Sequence, residues 1–237
     1  MTTVLLFDID GTLVLTGGAG QRAMARAFED LFAVPNGFDT IQMAGRTDTW
    51  ILSRAAQLHG VPPAELSRFH DLYLTHLARE LETPNPRKTV MPGIRPLLEA
   101  LSSRRDAYLA LLTGNYHEAA RLKLEHFDLW RYFQCGAFAD DSADRNHLVA
   151  KALERVRGCG GPPAAPEDVI VIGDTPHDVA CALASGAMPV GVATGPFSAD
   201  QLRDSGAAVV FEDLSDTEAF VRLLESRPDA TASGRSS

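Results

Sequence analysis

The chain has 237 residues, 45% hydrophobic and 22% charged, which suits one domain with an insertion or two small ones and supplies ample core. A formal net charge of −9 argues against nucleic acid or an anionic membrane as the main partner. Three cysteines (Cys135, Cys159, Cys181) lack C-x-x-C spacing and read as reduced packing residues, and the first apolar run is too short for a signal peptide or a membrane span, so a cytoplasmic protein is expected.

That first run, Val4-Leu5-Leu6-Phe7, meets Asp8-Ile9-Asp10-Gly11-Thr12. A short apolar run ending in a turn signal predicts a buried strand. Side chains alternate along a strand, so Asp8 and Asp10 share a side, and two adjacent carboxylates raise a pKa or call for a cation. The glycines at 17, 18 and 20 predict a change of direction and a hinge, because their spacing fits neither dinucleotide- nor phosphate-loop motifs. Helical periodicity follows over residues 21–32, 47–59 and 63–81. Between the first two helices lies Ala44-Gly45-Arg46-Thr47-Asp48, where Thr47 or Asp48 caps the next helix, or the loop faces an active site with Arg46 as a fork for an anionic substrate. Pro84, Pro86 and Pro92 predict an extended connector, and no strand is expected between residues 16 and 91.

From Pro92 onward the pattern alternates strand and helix. Strands are expected at residues 108–112, 133–138, 169–172, 190–192 and 209–211, with helices between them and a disordered polar tail from Ser226. Repeated βα units predict an α/β fold with a doubly wound parallel sheet, whose ligand lies beyond the carboxyl ends of the strands. Asp8 and Asp10, Thr113, Arg145 and Asp174 all fall just past such ends.

Asp8-x-Asp10-Gly11-Thr12 after a buried strand resembles the first motif of the haloacid dehalogenase-like hydrolases. Thr113-Gly114-Asn115 is similar to the second, and Gly173-Asp174-Thr175-Pro176-His177-Asp178 to the fourth. The order resembles the phosphoglycolate phosphatase branch. The resemblance implies a Rossmann-like core at 1–15 and 92–225 with an inserted α-helical cap at 16–91. It also implies that Asp8 carboxylate, Asp10 carbonyl and Asp174 hold a divalent ion, with Asp178 positioning Asp174 or a water; all-oxygen ligation beside phosphate favours Mg²⁺. Asp8 is then the nucleophile and Asp10 the general acid and base. Thr113 donates its hydroxyl to phosphate, and the N–H groups of Gly114 and Asn115 offer an anion site at a helix start. His177 is expected on the surface.

The third motif, a basic residue, departs from the commonest Lys-Pro pattern. Arg145 starts at the correct sheet edge and is preferred. Lys123 is about two turns into a helix, roughly 12 Å down an axis leading away at ~1.5 Å per residue, and is expected to be solvated. The function implied is Mg²⁺-dependent hydrolysis of a small phosphate monoester, with the cap choosing the substrate. A phosphomutase, and a non-enzymatic phospho-acceptor domain, are the competing readings. Oligomeric state is not legible.

Overall fold

A computed structural model describes residues 2–226. The central strand β1 (Thr3–Phe7) is buried on both faces. On one side it pairs in parallel with β4 (Ala107–Leu112), and on the other with β6 (Val169–Gly173). Beyond β4 lies β5 (Gly136–Ala137); beyond β6 lie β7 (Met188–Val192) and β8 (Val209–Phe211). All six strands are parallel, as the βα alternation requires.

Period-two alternation divides the apolar residues between two faces. Leu5, Phe7, Leu109, Leu111, Ile170 and Ile172 pack against α4 (Ile94–Ser102), α5 (His117–His126) and α9 (Thr217–Glu225). Val4, Leu6, Ala110, Leu112, Val169 and Val171 pack against α6 (Leu148–Gly158) and α7 (Pro176–Ser185). Helices cover both faces, so the near-continuous hydrophobicity of these strands is their burial made visible. The chain runs outward from β1 to β5, then returns to β6 on the other side of β1. Asp8 therefore leaves the sheet at the switch point between the two halves.

The insertion holds α1 (Ala19–Phe32), α2 (Asp48–His59), a 3₁₀ segment at Pro63–Arg68 and α3 (Phe69–Glu82). Phe28, Phe38, Phe69 and Tyr73 fill its own core, which also takes in Tyr116 and Ala119 from the sheet domain. One expectation is corrected here. A ribbon of β2 (Val14–Thr16) and antiparallel β3 (Lys88–Val90) joins the insertion to the core. Three residues beside a proline-rich stretch are too few to show a period, and only pairing with a distant segment makes them strands. Lys88 Nζ reinforces this exit by donating to the Glu80 and Leu81 carbonyls at the end of α3 and to that of its C-cap, Thr83. The third core strand is also shorter than residues 133–138, pairing only at Gly136 and Ala137. The tail beyond Ser226 lies outside the described residues.

Candidate active site

Register brings the acidic motifs together. Phe7 lies level with Leu111 of β4 and Ile172 of β6, and Asp8 N–H still donates to Ile172 carbonyl at 2.9 Å. The residues just past these strand ends, Asp8, Thr113 and Asp174, therefore emerge side by side. The carboxylates of Asp8, Asp174 and Asp178 lie within 4.8 Å of one another, all buried. Burial pushes the Asp8 carboxyl up to about 6, with Asp178 and Asp10 adding to the shift and Arg145 opposing it. Burial, then Asp8 and Asp178, hold Asp174 well above the usual carboxylate range. These acids are under-compensated by protein groups, and a hard divalent cation fits the all-oxygen donor set.

Backbone shape makes room at Asp174. Gly11 has φ +86°, and a Cβ on it would come 2.2 Å from Asp174 Oδ2; one on Gly195 would come 1.7 Å from the same atom. Thr12 Oγ1 donates to Asp174 Oδ1 at 3.3 Å, and Thr194 Oγ1 donates to Gly11 carbonyl at 2.6 Å. Thr12 belongs to the first motif and gains its role here, whereas Thr194 and Gly195 follow β7 with no polar spacing in the sequence to mark them.

Asp178 engages protein groups through both carboxylate oxygens. Its Oδ2 accepts from the Thr175 N–H (3.0 Å) and hydroxyl (2.7 Å), forming the capping box that starts α7. Its Oδ1 accepts from Arg145 Nη2 at 2.5 Å. Asp178 thus orients Arg145, and its carboxylate still lies within 4.8 Å of those of Asp8 and Asp174, so Asp8, Asp174 and Asp178 with the Asp10 carbonyl are the candidates around an ion. Arg145 sits in a 3₁₀ turn after β5, capped by Asp144, and its Nη2 is 3.0 Å from Asp8 Oδ1. Its Nη1 donates to the cap's Gly45 carbonyl at 3.2 Å, while its buried Nε has no partner among the described residues.

Thr113 Oγ1 accepts from Asn115 Nδ2 (2.8 Å) and from Asn115 N–H (3.3 Å). With its acceptor positions taken, the hydroxyl proton is left to donate. Protein groups also draw on the helix start that the resemblance offers to an anion. Asn115 N–H turns to Thr113. The next two N–H groups, of Tyr116 and His117, donate to Asp48 (2.9 Å) and Asp140 (2.6 Å), so protein carboxylates already occupy the positive end of α5.

Lys123 is the clearest correction. It is 4% exposed, and its Nζ lies 2.6 Å from Asp10 Oδ2 and 2.5 Å from Asn115 Oδ1. The rise along the helix axis ignores the backward tilt of helical side chains and the reach of a lysine stem, and both return the ammonium toward the strand ends. Arg145 and Lys123 thus both reach the site, on different carboxylates.

From the cap, Arg46 borders the cavity and stacks over Trp50, 4.4 Å from the ring centroid. Thr47, not Asp48, caps α2 by accepting from Trp50 N–H at 3.1 Å. His177 is half-buried beneath Gly45 rather than on the surface, and its pKa is lowered by burial and by Arg46 and Arg145. Asp48, a cap candidate by sequence, is buried at the cavity and shifted from 3.8 to about 7 by burial. A cavity of about 530 Å³ lies between cap and core, with Asp8, Asp10, Thr113, Arg145 and Asp174 along its floor.

Known proteins resemble the chain in sequence and in fold. The chain is 28% identical over 226 residues to "Probable phosphatase IndB" of Dickeya dadantii, covering 94% of this chain and 95% of that one. It is 28% identical to a phosphoglycolate phosphatase of Rhodospirillum rubrum, covering 91% and 89%. A crystal structure of a hydrolase from Pseudomonas syringae shares the fold with a TM-score of 0.70 at 21% identity, covering 94% and 99%. The sequence model of the haloacid dehalogenase-like hydrolases matches residues 2–186, and the chain belongs to that family.

Proposed function

We propose that this hydrolase is a Mg²⁺-dependent phosphatase acting on a small phosphate monoester through an aspartyl-phosphate. The observation that carries the reading is the meeting of Asp8, Asp174 and Arg145 at the switch point of the sheet. Asp8 and Asp174 carboxylates with the Asp10 carbonyl would hold the ion, which when bound neutralises the acidic cluster and withdraws charge from the phosphoryl oxygens.

Asp8 attacks phosphorus while Thr113 hydroxyl and Arg145 neutralise the equatorial oxygens. As the phosphorus–oxygen bond breaks, Asp10 gives its proton to the leaving alcohol. It then takes one from the water that hydrolyses the aspartyl-phosphate. Residues 16–91 act as the cap and residues 1–15 with 92–225 as the core, hinged at the β2–β3 ribbon. Met24, Met43, Ile51 and Tyr73 line the cap side of the cavity with Arg46 and Asp48. A cavity of this size suits an organic leaving group with apolar surface, with Arg46 meeting any anionic end. Free cysteines support a cytoplasmic setting. Among the described residues, no helix is long and apolar enough to cross a membrane.

Phosphate release from a panel of monoesters, with and without Mg²⁺, tests the reading. Activity is expected only with the ion, and Asp8→Asn is expected to lose it while keeping its thermal melt. Wild-type turnover by Asp8→Asn would end the nucleophile assignment. Phosphoryl exchange with a sugar bisphosphate, in place of release, would convert the reading to a mutase.

A further inference from the structure

Lys123 has no part in the phosphoryl chemistry above, yet it is buried at the same cavity. A buried ammonium is unfavourable unless it is paired and hydrogen-bonded. Its partners form a closed triangle. Lys123 Nζ and Asn115 Nδ2 both donate to Asp10 Oδ2, at 2.6 and 2.8 Å, and Lys123 Nζ also donates to Asn115 Oδ1 at 2.5 Å. Asn115 is itself tied to Thr113 Oγ1. No protein donor reaches Asp10 Oδ1 among the described residues, and the Asp10 side chain is 44% exposed toward the cavity.

Two donors on one carboxylate oxygen have a chemical consequence. Neither can accept a proton from Oδ2, so a proton carried by Asp10 sits on Oδ1. The cap completes the arrangement. A Cβ on Gly20 of α1 would lie 3.3 Å from Lys123 Nζ and 3.8 Å from Tyr73 Oη, and Asp48 of α2 interacts electrostatically with the ammonium.

We infer that Lys123 is a positioning residue for the general acid: with Asn115 it clamps one oxygen of Asp10 and presents the other, carrying the proton, to the leaving-group oxygen under the closed cap. The inference rests on the proposed role of Asp10. During the step the proton passes from Oδ1 to the alcohol oxygen as the phosphorus–oxygen bond breaks, and the clamp on Oδ2 holds the carboxylate that remains.

The test is a comparison of leaving groups. kcat/KM covers the steps up to alcohol release, so it isolates the acid role from later hydrolysis of the aspartyl-phosphate. With Mg²⁺ present, Lys123→Met is expected to lower kcat/KM about 100-fold on glycerol 2-phosphate, whose alkoxide needs the proton, and no more than about fivefold on p-nitrophenyl phosphate, whose phenolate does not. Lys123→Arg is expected to recover at least about tenfold of the alkyl loss. Equal losses on both esters mean direct phosphoryl contact or a purely structural role and overturn the inference; so does no loss on either. Lys123→Gln replaces the methionine variant if that one does not fold, and failure of both to fold means the role is structural. A wild-type protein inactive on both esters removes the proposed function and this inference with it, whereas an active wild type with uniform losses in the variant removes the inference alone.

Discussion

Asp178 shows how a single carboxylate is committed on every side. Its motif position implies an auxiliary place at the ion, and Thr175 and Arg145 also draw on its two oxygens. The guanidinium it holds is itself buried, so Asp178 acts on the site by keeping Arg145 against Asp8. Burial alone would lower the Arg145 pKa, but Asp178 and Asp8 hold it above the ordinary value. Removing Asp178 leaves the buried guanidinium with Asp8 as its one remaining carboxylate partner and takes away half of the α7 capping box. Asp178→Ala is therefore expected to cost on the order of 3–5 kcal/mol in urea unfolding. A loss under about 1 kcal/mol would mean that water, not Asp178, satisfies Arg145.

At the scale of elements, the segment Thr47–Asp48–Thr49 fastens the first turn of α2 to the core. Thr47 Oγ1 donates to Ala143 carbonyl at 2.7 Å and Thr49 Oγ1 to Ala139 carbonyl at 2.8 Å. Asp48 N–H donates to Gly114 carbonyl at 2.6 Å, and Asp48 carboxylate accepts from Tyr116 N–H. A Cβ on Gly114 would come 2.2 Å from Arg46 carbonyl, so glycine permits this close approach of the cap loop. Asp48 is the acid among these fasteners, shifted from 3.8 to about 7 by burial, with Lys123 and the Tyr116 N–H opposing and Asp10 and Asp140 adding. A folded-state pKa above the unfolded value means that the contribution to stability is present in full below the unfolded pKa and is lost as pH rises through the folded one. The Asp48→Asn protein keeps an acceptor for Tyr116 without the ionisation. Its Tm relative to wild type is expected to climb between about pH 4 and pH 7 and level off above. A difference flat across that range, measured by thermal melts in matched buffers, would mean that Asp48 titrates normally.

For the whole molecule, the doubly wound topology decides where charge gathers. Strand β1 lies between β4 and β6, so acids separated by over 160 residues in sequence meet beside it. Such a cluster destabilises the native state until a cation binds, and an ion that binds only the native state stabilises it by mass action. Saturating Mg²⁺ is expected to raise Tm, with a gain of about 2.7 kcal/mol at a hundredfold excess over Kd, reversed by chelation. Asp174→Asn is expected to remove most of this rise. Equal shifts in wild type and variant, read by calorimetry, would place the binding elsewhere.

The sequence by itself determined the six strands of the core sheet, if not their lengths, their βα alternation and the acids at their ends. Long apolar runs of fixed period and turn residues such as Asp10-Gly11 act locally, so they are legible without coordinates. Only the tertiary structure decided what each acid holds. Asp178 goes to Arg145, the N-terminus of α5 goes to Asp48 and Asp140, and Lys123 returns to Asp10. These pairings follow from side-chain reach and from the seating of the cap on the core. They depend on distances between segments far apart in the chain, which local pattern does not encode.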